Sequence, residues 1–206
     1  MILQGNQGQT GKQLGQNITA GFGEFSEILN TNLQPRYYEQ AYRGNTFIAA
    51  NQAIAAFSTA VTTNTGLTVA NPPNSGKNLI LVGVEFVPTA TLAVGQIALG
   101  FQPYSATAVG GTAVVGWPKS TLLGTVPSPS VASMFTSATL SAAPFYLVWL
   151  NSILSTTAGN STGQGGVTVN ELAGVIIAPP GTALTIISLT AAQSGLATMK
   201  WMELPI

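Results

Sequence analysis

The stretch that decides the fold is residues 78–87, which read Asn-Leu-Ile-Leu-Val-Gly-Val-Glu-Phe-Val. It is rich in β-branched and aromatic residues, and Pro88 ends it, so it predicts a β-strand. A cluster of turn-forming residues, Asn-Pro-Pro-Asn-Ser-Gly at 71–76, precedes it. Apolar runs such as 79–82 and 175–177 predict that both faces of the sheet are covered, one by the core and one by a neighbour.

Segments of similar amino-acid composition occur before and after this strand in the sequence. They are a strand pair within 46–61, strands at 66–69 and 92–101, a buried strand at 145–150 that contains Trp149, and three C-terminal strands at 167–178, 182–189 and 196–204. The last strand is expected to hold Trp201 in or near the core. About eight strands, Pro/Gly/Ser turns between them and no convincing helix after residue 30 predict an antiparallel β-sandwich or barrel.

The first 45 residues have a different composition and predict an N-terminal arm in front of a domain at 46–206. Residues 1–23 are rich in Gly, Gln and Asn, and such a segment buries too little apolar surface to order itself. It is either an unstructured terminus or an arm that orders on a neighbouring subunit. Phe25, Ile28 and Leu29 have helical spacing, with Ser26 as a cap, and predict one short helix.

The segment that follows is a candidate protein interface. Residues 36–43 hold three of the five tyrosines together with two arginines, and these two residue types are favoured at protein interfaces. A tyrosine cluster that seals the edge of a core is the alternative. The predicted interface residues are Arg36, Tyr37, Tyr38, Tyr42 and Arg43.

Two long loops are expected within the β domain. Residues 105–140 are a low-complexity stretch of Ser, Thr, Ala, Gly and Pro, with a short strand candidate at 114–117, and residues 155–166 contain almost only small polar residues. Loops of this length in a compact domain usually carry contacts or function.

The scarcity of charge points to association with other proteins. Only 6% of the residues are charged, six Lys/Arg balance six Glu, and the net charge is zero. A soluble monomer normally keeps its net charge away from zero. Much of the surface is therefore expected to be covered by a partner, and an exported protein with a neutral surface is the alternative.

The residues that usually carry catalysis and metal binding are scarce. His, Asp and Cys are absent, so general acid–base catalysis would depend on a Glu pair such as Glu85 and Glu171, and a Ser nucleophile on a lysine base, as in Lys119-Ser120. The more economical interpretation is that each is an isolated surface group. We expect no catalytic site, no cofactor and no metal, because no ligand cluster is present. Six scattered cations form no nucleic-acid surface, and no apolar segment predicts a membrane span.

The last third of the chain resembles virion proteins of tailed bacteriophages. The resemblance lies in residues 171–187, where a Pro-Pro-Gly turn joins two strands, and in the closing segment 199–206, Met-Lys-Trp-Met-Glu-Leu-Pro-Ile. It implies a jelly-roll fold and a head decoration (cement) protein or another capsid-surface component, usually a trimer.

These observations together predict a structural virion protein located at the capsid surface. It would be a homo-oligomer, a trimer by the resemblance, that stabilises the head by binding the lattice of the major capsid protein. One alternative is a receptor- or carbohydrate-binding module that uses the two loops with Tyr104, Trp117 or Trp149. Another is a jelly-roll subunit of the capsid shell itself.

Overall fold

The computed structural model describes residues 4–6, 17–19, 21–22, 28–29, 37–59, 64–89, 95–104, 109–110, 113–115, 117–123, 130–140, 143–153 and 168–206. The chain divides into two compact units, Met1–Arg43 and Gly44–Ile206.

Within its described residues, the first unit contains two antiparallel pairs of short strands and a helix. Its elements are β1 (Gln4–Asn6), which pairs with β2 (Asn17–Thr19), β3 (Gly21–Phe22), which pairs with β4 (Ile28–Leu29), and α1 (Tyr38–Tyr42). The predicted helix is wrong at two of its three apolar residues, Ile28 and Leu29, which form strand β4. A helix this short is marginal in water, and the two residues instead pair with β3. Phe25 and Ser26 lie outside the described residues.

A helix forms later in the chain than the sequence indicated. Tyr38–Tyr42 is α-helical, and the Ala41 N–H donates to the Tyr37 carbonyl oxygen at 2.9 Å. The segment contains Glu, Gln and Ala, which all favour the helix. The expectation of no helix after residue 30 is therefore wrong by this one turn.

The second unit is all-β. Its strands are β5 (Thr46–Ala50), β6 (Ala55–Phe57), β7 (Asn64–Asn71), β8 (Lys77–Pro88), β9 (Gly95–Pro103), β10 (Val109–Gly110), β11 (Lys119–Ser120), β12 (Ser133–Leu140), β13 (Phe145–Ile153), β14 (Thr168–Ala178), β15 (Thr182–Ser188) and β16 (Gln193–Pro205).

Eight of these strands form two packed antiparallel sheets with the strand orders β5-β16-β8-β14 and β7-β15-β9-β13. If these eight strands are numbered 1 to 8 along the chain, the spatial order is 1-8-3-6 in one sheet and 2-7-4-5 in the other. This is the connectivity of a jelly roll. The predicted all-β antiparallel sandwich of about eight strands is confirmed. We call the two sheets the β16 sheet and the β15 sheet after their central strands.

The chain between β9 and β13 extends both sheets on one side. In the β15 sheet, β12 pairs with β7, and β10 pairs with the other edge of β12. In the β16 sheet, β11 pairs with β5. The sequence assigned this stretch to a loop, and that is wrong for Ser133–Leu140, because pairing with β7 imposes strand geometry on a segment with weak propensity of its own. The strand candidate at 114–117 is also wrong, since the Trp117 N–H donates to the Val114 carbonyl oxygen in a turn.

The main core lies between the sheets. Strand β16 alternates buried and half-buried residues along its length, and its inward side presents Met199 and Trp201. The Trp201 ring packs near Phe47 with centroids 6.4 Å apart, and the Phe57 ring meets Phe86 edge-on at 5.3 Å. Trp201 is fully buried, so its predicted place in the core is confirmed.

The outer face of the β15 sheet is buried where β12, β7 and β15 lie side by side. Ala70 and Ala183 form a second apolar cluster with Phe135, Ala138 and Leu140. Beside this cluster, the buried hydroxyl groups of Thr68 and Thr185 lie 2.9 Å apart. The runs from which covering of both faces was predicted, 79–82 and 175–177, belong to the other sheet.

The outer face of the β16 sheet is not covered to the same extent. Ile80 and Val82 are only partly buried, while Val175 and Ile177 are exposed. Nothing within the described residues covers Val175 and Ile177, and covering of this face by a neighbour stays a prediction.

A small residue is required where β16 crosses the Phe86 ring. A Cβ atom at Gly195 would lie 2.7 Å from two atoms of that ring and 2.7 Å from the Val87 carbonyl oxygen. We expect Gly195→Ala to lower the free energy of unfolding by about 1–3 kcal/mol, because an atom is forced into a filled space. Denaturant unfolding measures this change.

The matched control is Gly83→Ala in β8. There the nearest atom to a Cβ, the Asn170 carbonyl oxygen, lies at 3.4 Å, which is an ordinary contact. We expect this substitution to cost less than about 1 kcal/mol. Equal losses in the two variants would contradict the steric argument.

Candidate interaction surface

The predicted tyrosine interface lies on the short helix of the first unit. Tyr38 and Tyr42 are exposed, and their rings stack with centroids 6.1 Å apart, because residues four apart share one face of a helix. Arg43 is exposed and Tyr37 is half-buried, with a φ of 69° at the start of the helix. Arg36 lies outside the described residues. That these residues contact a partner stays a prediction.

A larger apolar surface lies on the side of the sandwich that β13 closes. The sequence placed Trp149 in a buried strand, but 59% of this residue is exposed. The assignment fails because β13 ends its sheet and has β9 as its only neighbour in the six-stranded order. Leu150 faces the core, whereas Phe145, Tyr146 and Leu147 are exposed like Trp149.

The ring pair of Tyr146 and Trp149 stands on the outer face of the β15 sheet. Tyr146 pairs with Gly100 and Trp149 with Ala98, two buried β9 residues that alternate with core-facing neighbours. Side chains of paired residues lie on the same face of a sheet. The two ring centroids are 5.9 Å apart and the planes are tilted by 35°. A Cβ atom at Gly100 would lie 2.9 Å from the Pro144 Cβ atom, so the space next to Gly100 is filled by that proline.

Phe145 extends the aromatic surface around the sheet edge. Its ring stacks on Phe101 with centroids 5.4 Å apart and an interplanar angle of 28°. Phe101 itself packs against the main core. One ring of the pair is therefore anchored in the core and the other is presented to solvent.

The aliphatic part of the surface belongs to β14, the last strand of the β16 sheet. Val169, Val175 and Ile177 are exposed, and 83% of Val175 is accessible. Ile177 pairs with Ile80 and Val169 with Glu85, both on the face of β8 that points away from the core. These two β14 side chains therefore point outward from the β16 sheet.

Both edge strands are interrupted by bulges. In β14 the register jumps between Glu171 and Ile176, and the inserted residues include Ala173 and Gly174 with φ values of 53° and 84°. Strand β13 has two register shifts, between Tyr146 and Val148 and between Trp149 and Asn151. Bulges twist an edge away from the straight geometry that another strand needs for pairing.

We use the name edge surface for the exposed apolar residues of these two strands. Strands β13 and β14 lie against each other at this side of the sandwich. None of the members is charged. They are Phe145, Tyr146, Leu147 and Trp149 of β13 and Val169, Val175 and Ile177 of β14.

The aromatic residues proposed for a carbohydrate site lie in different environments. Tyr104 packs against the second apolar cluster, and Trp117 packs against the main core with the Lys119 ammonium group 6.0 Å from its ring centroid. Trp149 stands on the outer face described above. Of the two loops, 155–166 lies outside the described residues.

The two acidic residues considered for catalysis lie on β8 and β14, which are neighbouring strands of the β16 sheet. Glu85 forms an ion pair with Lys200 on the neighbouring strand. Glu171 is exposed and stands opposite Gly83 in β8. Among the described residues, no group of three or more potential acidic, His or Cys ligands is placed to hold a metal ion. No helix in the described part of the chain is long and apolar enough to span a membrane.

Glu203 is a buried carboxylate that joins the chain segment between β9 and β13, which we call the insertion, to the core. Its oxygens accept hydrogen bonds from the Ser130 hydroxyl group, from the Val131 N–H at 3.2 Å and from the Trp201 Nε1–H at 3.3 Å. The Lys77 ammonium group lies 3.4 Å from one oxygen. A buried carboxylate requires such a set of donors. The donors Ser130 and Val131 thereby fix the segment just before β12 to the last strand, β16.

Comparison of the chain with models of known protein families, with curated proteins and with solved structures gave no match.

The stabilising role of Glu203 can be tested with an isosteric change. We expect Glu203→Gln to lower the free energy of unfolding by about 2–4 kcal/mol, because an NH2 group then faces buried donors. Denaturant unfolding followed by tryptophan fluorescence gives the value.

Glu85→Gln is the matched control, since it removes the carboxylate of a Glu–Lys pair that is more exposed to solvent. The Glu85 and Lys200 side chains are 28% and 38% exposed, and solvent-exposed pairs contribute less than about 1 kcal/mol. A loss as large as that of Glu203→Gln would contradict the role assigned to the buried site.

Proposed function

We propose that this protein is a structural component of a virus particle, a jelly-roll subunit that decorates and stabilises the head of a tailed bacteriophage. It would act as a small homo-oligomer, a trimer by the resemblance described above, and its partner would be the lattice of the major capsid protein. The observation that carries the proposal is the edge surface, which is large, aromatic and exposed in the single chain.

The fold is compatible with this function and does not select it alone. Jelly rolls occur in viral capsid and lectin domains and in cupins, and one fold supports many functions. The choice among these functions therefore depends on the chemistry of the exposed edge surface. Trp, Tyr and Phe are enriched at the centres of protein interfaces, and charged residues are depleted there. The edge surface presents three aromatic residues, Phe145, Tyr146 and Trp149, and Glu171 is an exposed charged residue on the same strand as its aliphatic members.

The low charge of the chain supports the same conclusion. Twelve charged residues in 206 leave little electrostatic repulsion between neighbouring subunits, and the net charge is zero. Near-zero net charge promotes association of proteins. In a capsid coat, where many copies lie close together, this composition favours dense packing.

The first unit would supply a second kind of contact. The stacked Tyr38 and Tyr42 rings are exposed on a unit distinct from the sandwich. Several modest contacts on one assembled particle combine into strong overall binding, because each contact raises the effective concentration for the next. We propose that the tyrosine segment contacts the capsid or an adjacent subunit.

A receptor- or carbohydrate-binding module is the second candidate, and the Tyr146–Trp149 pair favours it. Two exposed, neighbouring aromatic rings on the face of a β-sandwich can stack against the apolar face of a sugar. Such a site would also need polar groups that fix the orientation of the sugar.

Light scattering on the purified full-length chain after size-exclusion chromatography separates these functions. We expect a discrete small oligomer, because a decoration protein assembles its own unit and extends only on a capsid lattice. Closed particles of megadalton mass would instead identify a shell subunit. A monomer that binds on a glycan array would identify a carbohydrate-binding module.

The partner is tested by co-sedimentation with capsid shells that lack decoration. Binding at saturation with a fixed number of copies per capsomer supports the proposal. A discrete oligomer that stays in the supernatant at micromolar concentration would overturn the capsid assignment.

A further inference from the structure

We propose that the outer face of the β16 sheet binds the same face of a second copy of the chain, related to the first by a two-fold axis that runs parallel to the strands. A row of charged side chains across this face directs the contact, and Lys119 of each copy meets Glu171 of the other. This inference deepens the proposed function, because it rests on the association of copies, but it does not depend on the capsid as a partner.

The charged residues of the sandwich are concentrated on this face. The second unit, Gly44–Ile206, contains six charged residues, and two of them, Lys77 and Glu203, pair with each other. The other four all point outward from the β16 sheet: Glu85, Lys119, Glu171 and Lys200. Charges that serve only solubility are spread over a protein surface with both signs interspersed. Their concentration on one sheet face indicates a directed contact.

Strand pairing places three of these side chains in one row across all five strands. Lys200 stands between the buried Met199 and Trp201 and therefore points outward. Through successive backbone pairs, the row runs from Lys119 in β11 over Ile48, Lys200 and Gly83 to Glu171 in β14. Side chains of paired residues lie on the same face of a sheet. With strands about 4.8 Å apart, the two ends of the row are separated by about 19 Å.

The order of the charges makes this face complementary to itself. The cation Lys119 lies at one end of the row and the anion Glu171 at the other, while Lys200 between them is paired with Glu85. A two-fold rotation about an axis parallel to the strands reverses the row, so that each Lys119 faces a Glu171. Rotation about an axis along the row would place like charges opposite each other. Charge therefore selects one of the two face-to-face arrangements.

This symmetry favours a second copy over an unrelated protein as the occupant. Partners in a specific contact present complementary charges to each other. An unrelated partner would have to carry an anion and a cation about 19 Å apart in the order that matches Lys119 and Glu171. The second copy carries them in that order without any further requirement, because a two-fold contact uses the same surface on both sides.

Apolar side chains around the row supply the area of the contact. Half-buried pairs flank it on the outer face, Ile80 with Met202 on one side and Val87 with Leu196 on the other. The five strands comprise 43 residues, which at about 3.3 Å along and about 4.8 Å between strands cover roughly 700 Å². One partner in a standard interface contributes about 800 Å². Twisted sheets that pack face to face keep their strands within about 30° of each other, as this axis requires.

Charge reversal in the full-length chain tests the contact. Lys119→Glu places two carboxylates opposite each other, and Glu171→Lys places two ammonium groups opposite each other, at both ends of the row. Both side chains are exposed, so neither change is made in the core. We expect each variant alone to self-associate at least about 10-fold more weakly than the wild-type chain, because each dimer loses two attractive pairs and gains two repulsive ones.

An equimolar mixture of the two variants is the decisive measurement. In a mixed dimer the two reversed positions meet each other, and the two unchanged positions, Glu171 and Lys119, also meet. Both ends of the row then carry opposite charges. We expect the mixture to associate within about threefold of the wild-type chain, and the double variant Lys119→Glu/Glu171→Lys to recover to the same extent.

Two exposed residues outside the strands of the face provide matched controls. Val115 is 95% exposed and Leu123 is 84% exposed, so Val115→Glu and Leu123→Lys introduce the same charged groups elsewhere. Both should associate as the wild-type chain does. Circular dichroism and thermal unfolding of every variant establish that the fold is retained.

Light scattering over a concentration series gives the outcome. The proposal expects an even number of copies, two if this contact acts alone and six if it joins two trimers. Weakening in both single variants, with recovery in the mixture and in the double variant, supports the contact. A wild-type monomer or isolated trimer, single variants that associate like wild type, controls that weaken as much as the single variants, or a mixture that does not recover would overturn it.

The capsid proposal fails by a different result. If the copies associate and respond to charge reversal as expected but do not sediment with capsid shells, the two-fold contact stands and the capsid partner is wrong. If the wild-type chain is a monomer that sediments with shells, and Lys119→Glu abolishes this binding, the face binds the capsid and the contact between copies is wrong.

Discussion

The packing of β16 against the core is the constraint on which the rest of the structure depends. This central strand runs from Gln193 to Pro205 and pairs with β5, β6 and β8. Its inward residues include the fully buried Trp201 and the buried Glu203, which binds the segment just before β12. Because burial alternates along the whole strand, a slip of one residue would turn its apolar side to solvent and Lys200 into the core. The register of the β16 sheet follows from this requirement.

The insertion between β9 and β13 makes the two sides of the jelly roll different. On one side it extends both sheets with β10, β11 and β12, so the edges of β5 and β7 are paired. On the other side β13 and β14 are the last strands in their sheets, and bulges shape them. Aromatic and aliphatic side chains are exposed on that second side. The asymmetry explains why a candidate interaction surface occurs at one edge of the sandwich.

The surface chemistry links this architecture to the proposed function. A chain with so few charges gains little from long-range attraction, so its contacts depend on shape and on burial of apolar area. Such contacts are short in range and additive over many copies, which suits a symmetric assembly with repeated neighbours. The exposed tyrosines of α1, on a separate unit, can take part in another contact at the same time. Self-association and partner binding can then be carried by different parts of one chain.

The sequence by itself determined the fold class, because the β-branched runs, the Pro/Gly turns and the core position of Trp201 are local patterns tied to burial. It predicted most strands of the sandwich, and from residues 36–43 it selected tyrosines that are exposed. It could not determine the edge surface. The run Phe-Tyr-Leu-Val-Trp-Leu at 145–150 looks like a buried strand, and its exposure depends on β13 being last in its sheet. The strand at Ser133–Leu140 was missed for a similar reason, since β7 supplies the pairing that its own residues do not specify. Local propensity and periodicity decide what kind of element forms, whereas the neighbours of each strand, which depend on residues distant in sequence, decide which of its side chains meet solvent.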